Sequence, residues 1–121
     1  MRLQQILEEL VEKIPGAKAA VLADWEGEAV VAYTSGEDTD YEIKFVGAHH
    51  GILLDRAREM IERLALGQAR QLVFSHEKFN VITAPVNSDY YLVVTVGPRT
   101  PAALASYAVK KALKEIEADI A

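Results

Sequence analysis

The hydrophobic pattern between residues 39 and 67 predicts one long helix that has two apolar sides. The first side keeps helical spacing to the end of the segment and is expected to pack on the domain's own core. It consists of Val46, His50, Leu53, Ala57, Met60, Ile61 and Leu64. The second side consists of Tyr41, Phe45, Ala48 and Ile52. It ends halfway, where Glu59 and Arg63 take its place, so the first half of the helix is expected to meet a second partner.

Two glycines, Gly47 and Gly51, lie in the same half of this segment. Each costs about 1 kcal/mol relative to alanine inside a helix. Such glycines are explained most simply by another backbone that comes close. We therefore interpret this half of the helix as a protein–protein interface, in the first place between two copies of the chain. In the alternative interpretation, Tyr41 and Phe45 pack under the loop of residues 35–38, and the glycines serve no contact.

The other apolar runs predict two more helices and five short strands. Apolar residues recur at helical spacing from Leu3 to Ile14, and Pro15 and Gly16 end this first helix. The strands are short apolar or β-branched runs separated by turns. They are expected at residues 19–23, 29–33, 71–76, 79–86 and 90–96.

Capping signals mark the ends of the later helices. Thr39 and Glu42 form a capping box at the start of the long helix, and Gly67 is expected to end it. Thr100 and Pro101 are typical of the N-cap and first position of a last helix.

The element order α-β-β-α-β-β-β-α predicts an α+β fold. Short connections favour antiparallel pairing of neighbouring strands. Several strands, such as the one containing Val93 and Val94, are apolar on both sides, which requires that both faces of the sheet are covered. The sequence therefore predicts a three-layer α/β/α sandwich with a central five-stranded antiparallel sheet, as a single domain over residues 1–121.

Composition narrows the classes of function. The chain has 121 residues, 50% of them hydrophobic, a net charge of −5 and no cysteine. The acidic balance and the lack of a basic stripe argue against nucleic acid as a partner. The absence of cysteine excludes disulfides and thiolate chemistry. No apolar signal core begins the sequence, and no run approaches the roughly 20 apolar residues of a membrane span. We therefore expect a cytoplasmic protein without membrane insertion.

The sequence offers little candidate chemistry. His49 and His50 are adjacent, whereas two metal ligands from one helix usually lie at positions i and i+4. We expect no metal there and place both histidines near the interface; if either is buried, its protonation below about pH 6 is expected to weaken pairing. Neither a Gly-x-Ser-x-Gly elbow nor a phosphate-binding loop occurs. We therefore expect no catalytic residues and no cofactor, in a protein that is not an enzyme.

Three stretches, taken in order, resemble a known family. They are residues 10–17 (LVEKIPGA) leading to 20–24 (AVLAD) and Gly27, residues 64–68 (LALGQ) before 72–74 (LVF), and residues 84–86 (APV) before 91–94 (YLVV). With the element order, these stretches resemble the roadblock/dynein light-chain domain, a relative of the longin and profilin-like folds. The resemblance covers nearly the whole chain.

This resemblance implies a homodimer, or a heterodimer with a related roadblock protein. Such dimers pair their third strands edge to edge and pack their long helices across a two-fold axis. Here the edge strand is residues 71–76, with Leu72 and Phe74, and His49 lies near the axis. Family members lack an active site and act as scaffolds or co-regulators of small Ras-like GTPases, as in the branch that resembles mutual gliding-motility protein B. We expect a non-catalytic dimeric regulator that docks such a GTPase on the paired helices.

Two alternatives to this interpretation remain open. One is a small-molecule sensor, because related αβα sheets in sensory proteins hold ligands between sheet and helix. Against it, the residues expected to face the core are mostly Leu, Ile, Met and Val, with few polar groups that converge. The other is a structural subunit of a heteromeric roadblock complex.

Overall fold

A computed structural model describes residues 2–36 and 40–120, with all side chains except those of Asp40 and Tyr41. The elements are α1 (Leu3–Lys13), β1 (Ala17–Asp24), β2 (Ala29–Thr34), α2 (Asp40–Arg63), β3 (Leu72–Ser75), β4 (Asn80–Pro85), β5 (Tyr90–Val96) and α3 (Ala102–Ile120). This order and the single five-stranded sheet confirm the predicted fold class. The capping box of Thr39 and Glu42 extends outside the described residues, as does the side chain of Tyr41.

All strand pairs of the sheet are antiparallel, and the strand order is β2-β1-β5-β4-β3. The strand β5 lies at the centre, where Val93 pairs with Val21 of β1 and Val94 pairs with Ile82 of β4. The strands β2 and β3 form the two edges. Within the described residues, β3 pairs only with β4, so the outer backbone edge of β3 has no strand partner.

Successive residues of the strands point to opposite faces of the sheet, and each face has its own apolar core. The helices α1 and α3 cover one face, where the buried side chains include Ile6, Leu10, Leu22, Ile82, Val94 and Ile116. The helix α2 covers the other face, where they include Val21, Ile43, Leu54, Val81, Tyr91 and Val93. In the described part of the chain, no helix has both the length and the apolar character that crossing a membrane requires.

The orientation of α2 differs from the prediction. Its buried side consists of Ile43, Gly47, His50, Gly51 and Leu54. His50 is buried as expected, whereas Leu53, Met60 and Leu64 are about half exposed. Two glycines interrupt the apolar pattern on the side that lies on the sheet. For this reason, the sequence pattern favours the more continuous neighbouring row of apolar residues as the core side.

The helix α2 ends at Arg63, and the expected end at Gly67 is therefore wrong by four residues. The terminating residue is Ala65, whose φ of 55° lies in the left-handed region. The N–H of Leu66 then donates to the carbonyl of Ile61 at 3.0 Å. This six-to-one bond and the left-handed residue before it form a Schellman motif, which satisfies carbonyls at the helix end.

The expected N-cap of the last helix is wrong by one residue. The helix α3 begins at Ala102, and the N–H of Ala105 donates to the carbonyl of Pro101 at 3.2 Å. The hydroxyl of Thr100 instead donates to the carbonyl of Pro15 at 2.8 Å. Thr100 therefore ties the start of α3 to the segment between α1 and β1.

Candidate protein–protein interface

Exposed apolar side chains are concentrated on α2. Of the ten large hydrophobic residues that are exposed in the described part of the chain, six belong to α2 or to the loop after it. We call these six residues the α2 surface: Phe45, Ile52, Leu53, Met60, Leu64 and Leu66. The exposed fraction is 55% for Phe45 and 61% for Ile52. Large contiguous apolar patches on soluble domains mark interaction sites, which makes the α2 surface the candidate interface.

One flank of the α2 surface lies beside the edge strand β3. The ring of His50 meets the ring of Phe74 of β3 edge-on, with 5.0 Å between centroids. Leu53, Met60 and Leu64 follow His50 at spacings of three, ten and fourteen residues, which places them on the same flank. Val73 of β3 is exposed as well. The helix surface and the open strand edge therefore belong to one side of the molecule.

The glycines of α2 do not belong to this surface, which corrects their predicted role. A Cβ added at Gly51 would lie 2.1 Å from the hydroxyl oxygen of Tyr91, and one added at Gly47 would lie 2.7 Å from Cγ1 of Val21. Both neighbours are buried residues of the chain's own sheet. The close backbone approach inferred from these glycines exists, but the approaching element is the sheet and not a partner.

Three other predicted interface residues also face the chain's own elements. Ala48 is half-buried and lies against the β1–β2 turn, where a Cβ added at Gly27 would be 3.4 Å from the Cβ of Ala48. Leu72 and Phe74 pack against the core under α2. What β3 offers a partner is therefore its backbone edge, and not these two side chains. Phe45, His49 and Ile52 are the predicted interface residues that the structure exposes.

The two adjacent histidines have different surroundings. In the exposed His49, Nδ1 lies 2.9 Å from the carbonyl oxygen of Phe45, and the ring packs against that of Phe45 at a tilt of 46°. In His50, Nδ1 lies 2.9 Å from the carbonyl oxygen of Val46, and Nε2 lies 3.0 Å from Nε2 of His76. Within the described residues, no group of three or more His, Asp or Glu side chains could hold a metal ion. These histidines form hydrogen bonds within the chain.

On the flank of α2 that faces away from β3, an aromatic cluster connects the helix to the sheet. The sequence pattern does not indicate this cluster. The guanidinium carbon of Arg58 lies 3.8 Å above the ring of Trp25, and Asp55 pairs with Arg58 at 3.4 Å. Trp25 packs against Tyr91, whose hydroxyl donates to the carbonyl of Gly47 at 3.1 Å. Burial, with a contribution from Asp24, raises the pKa of Tyr91 to about 12, so this hydroxyl keeps its proton at neutral pH. The one feature of the sequence that points to this cluster is its single tryptophan, Trp25, in the turn between β1 and β2.

A ligand cavity between α2 and the sheet is what a sensor would need. The cleft there, next to Lys18, Val46 and Phe79, has a volume of about 120 Å³. Ligand pockets usually measure about 300–1,000 Å³. A larger groove of about 920 Å³ lies between α3 and residues 67–71; it is open to solvent, and its lining mixes charged side chains such as Lys110 with apolar ones such as Leu113. The cleft between α2 and the sheet is therefore smaller than a usual ligand pocket.

A long helix on one sheet face, two terminal helices on the other and an open edge at β3 define a roadblock-type α+β domain. The sequence profile of the Roadblock/LC7 domain matches residues 3–95. The chain therefore belongs to the Roadblock/LC7 domain family. A comparison with functionally curated proteins finds no match.

Solved structures with the same fold include two kinds of roadblock protein. The Roadblock/LC7 domain from Streptomyces avermitilis is 20% identical, with 97% of this chain and 96% of that chain covered and a TM-score of 0.83. MglB of Myxococcus xanthus is 17% identical, with coverage of 99% and 95% and a TM-score of 0.84. An MglB structure with a tetrameric arrangement is 15% identical, with coverage of 96% and 85% and a TM-score of 0.82. At these identities the likeness concerns the fold.

Proposed function

We propose that this roadblock domain is a non-catalytic regulator or scaffold of a small Ras-like GTPase and that it works as a pair of chains. The observation that carries the proposal is the α2 surface beside the open edge of β3. Such a protein would regulate the GTPase by binding one conformation of its switch regions more tightly than the others, which shifts the equilibrium towards that conformation. The proposal places the protein in the cytoplasm.

Pairing of two chains would use both parts of this side of the molecule. Two copies of β3 would align antiparallel, so that the free N–H and carbonyl groups of each edge find partners. The α2 surfaces would then pack against each other and remove exposed side chains such as Ile52 from water. Complete burial of one such side chain contributes about 1.5–3 kcal/mol. The tetrameric arrangement of an MglB structure supports self-association as a property of related chains.

The paired helices would present a platform to the GTPase. Membership in the Roadblock/LC7 family supports a regulatory or scaffold role, and the GTPase as partner follows from the resemblance to its MglB branch. The sequence contains no phosphate-binding loop, so the nucleotide would belong to the partner. Pairing with a related roadblock protein instead of a second copy would leave this platform in place.

Retention on an immobilised GTPase tests the proposal. Each Ras-like GTPase of the source organism would be loaded with GDP or with a non-hydrolysable GTP analogue, and binding and hydrolysis rates would be measured. We expect retention in one nucleotide state and its loss in Ile52→Asp. The control Tyr107→Asp changes an equally exposed residue of α3 and should leave retention unchanged. Absence of retention in both states, with an unchanged hydrolysis rate, would reject the GTPase as partner.

A further inference from the structure

The edge strand β3 is joined to α2 through a pair of histidines. His76 directly follows β3, and its Nε2 lies 3.0 Å from Nε2 of His50 on α2. The ring of His50 also contacts Phe74 of β3, and the ring of His76 contacts Phe79, at 5.0 and 5.3 Å between centroids. The strand itself has only four residues and pairs on one side. The histidine pair is therefore well placed to decide whether β3 stays against the helix.

The partners of His50 determine where the hydrogens lie. A carbonyl oxygen only accepts hydrogen bonds, so Nδ1 of His50 donates to the carbonyl of Val46. In neutral His50, Nε2 is then an acceptor, and Nε2–H of His76 donates to it. The ring centroids are 5.2 Å apart, which means that the two Nε2 atoms face each other almost head-on. Such a contact has room for one hydrogen.

We propose that His50 and His76 form a proton-operated latch between α2 and β3. The latch stays closed while at most one of the two rings is charged, because a single hydrogen then lies between the facing Nε2 atoms. It releases β3 when both rings are charged, because two N–H groups and two positive charges then face each other. No bond other than N–H bonds forms or breaks, and the protons come from water.

The surroundings of the pair favour release in acid. No ion pair of either ring with a carboxylate is found among the described residues. The neighbouring titratable group on α2 is His49, and the exposed turn after His76 carries Glu77 and Lys78. Burial, followed by the charges of His76 and His49, lowers the pKa of His50, against an opposing contribution from its bond to Val46.

The direction of the pH dependence follows from this shift. The closed state holds the pKa of His50 below its ordinary value of 6.5. At a pH between the lowered pKa and 6.5, His50 is therefore neutral in the closed state and takes up a proton when the latch opens. The latch is therefore stable above about pH 6.5 and weakens as the pH falls towards the lowered pKa of His50. An opening that takes up one proton becomes at most tenfold more favourable per pH unit.

Release of β3 would also remove the strand edge from a dimer. This consequence rests on the proposed function, whereas the latch itself does not, because it lies within one chain. The proposed function and the latch can therefore be tested separately. Even if the protein binds no GTPase and forms no dimer, the exchange of the amide hydrogens of β3 still shows whether the latch opens.

Amide hydrogen exchange of residues 72–75, followed by NMR from pH 7.5 to pH 4.5, tests the latch. After correction for intrinsic exchange rates, we expect protection of β3 to fall more steeply than that of β5 below about pH 6.5, with a slope of up to about tenfold per pH unit. His50→Gln, which keeps a polar side chain but cannot be charged, should remove this extra slope. The control His49→Gln changes the exposed neighbour and should keep it.

A second readout does not depend on any variant. At pH 7.5, the imidazole nitrogens of the wild-type chain should show a hydrogen on Nδ1 of His50 and on Nε2 of His76. The proposal is overturned if the protection of β3 falls no more steeply than that of β5, or equally in His50→Gln, or if His50 carries its hydrogen on Nε2 at pH 7.5.

Discussion

Gly51 sets the distance between α2 and the sheet. The hydroxyl oxygen of Tyr91 occupies the space that a Cβ at this position would need, 2.1 Å away, and the ring carbon Cζ is 2.3 Å away. Tyr91 is almost completely buried and uses its hydroxyl to bind the carbonyl of Gly47. A Cβ at position 51 could therefore be accommodated only if the buried ring of Tyr91 or the helix moved. A glycine that weakens the isolated helix makes the packed helix possible.

We expect Gly51→Ala to destabilise the protein although alanine is the better helix former. The gain in helix propensity is about 1 kcal/mol, and forcing an extra carbon into a packed core costs about 1–3 kcal/mol or more. At 2.1 Å the upper part of that range applies, so we expect a net loss of about 1–2 kcal/mol in the free energy of unfolding, measured with urea.

The comparison variant for this prediction is Gly47→Ala. The nearest atom to its Cβ would be Cγ1 of Val21, at 2.7 Å, which is less close than the contact at Gly51, so Gly47→Ala should cost less than Gly51→Ala. A Gly51→Ala protein that is as stable as the wild type, or more stable, would show that α2 does not approach Tyr91 as closely as described.

At the scale of elements, the order of helices and strands was predictable because each element has its own period and its own turn residues. All five strands lie within two residues of their predicted bounds. The rotation of α2 was not predictable in the same way. Its inner side contains Gly47 and Gly51, which carry no hydrophobic signal, whereas the row through Leu53, Met60 and Leu64 carries a strong one. The positions of Tyr91 and Val21 in the sheet, which approach Gly51 and Gly47, show which side of α2 faces inward.

The end of α2 offers a change that should stabilise the protein. Ala65 adopts a left-handed conformation, which costs a residue with a Cβ about 1–2 kcal/mol, and its side chain is exposed. In Ala65→Gly the strain disappears, at an entropic cost of about 0.4–1 kcal/mol in the unfolded chain. We therefore expect unfolding to become about 0.5–1 kcal/mol less favourable, measured as a higher urea midpoint.

The same substitution at Ala103 is the matched control. Ala103 is also exposed but lies within α3, where glycine costs about 1 kcal/mol relative to alanine. The two variants should therefore change stability in opposite directions. Loss of stability in Ala65→Gly would mean that the helix does not end in the left-handed turn at Ala65.

At the scale of the whole molecule, the two edges of the sheet have different neighbours. On the β2 edge, the side chain of Gln4 in α1 donates to the carbonyl of Ala32 at 3.2 Å. On the β3 edge, the neighbouring features are the exposed Val73 and the apolar flank of α2. An open edge next to apolar side chains is a template for pairing with another chain. The asymmetry indicates on which side a second chain would add to the sheet.

The candidate interface was predictable only in part, and the reason lies in this asymmetry. The pattern predicts that Phe45 and Ile52 face away from the core, and the structure exposes both; His49, which the pattern places between the two sides of the helix, is exposed as well. The pattern predicts Leu53 and Met60 in the core, because a sequence pattern does not reveal that the sheet ends beneath them. Their exposure depends on strand order, which places β3 at the edge on that side.

The double variant Phe45→Asp/Ile52→Asp should be a soluble monomer if the α2 surface mediates pairing. Two carboxylates in a buried apolar contact would lose hydration without gaining partners, whereas in the monomer both positions are exposed to water. The mass of wild type and variant would be measured by analytical ultracentrifugation over a dilution series through low micromolar concentrations. We expect a dimer for the wild type and a monomer for the variant.

Val30→Asp provides the control, because Val30 is an exposed apolar residue of the opposite edge strand β2. It should leave the dimer intact and so separate a general effect of added charge from loss of the contact on α2. A double variant that stays dimeric would move the interface away from the α2 surface. A wild type that is already monomeric would instead make a different roadblock protein the expected partner, because the exposed residues of α2 and the open edge of β3 would still require cover.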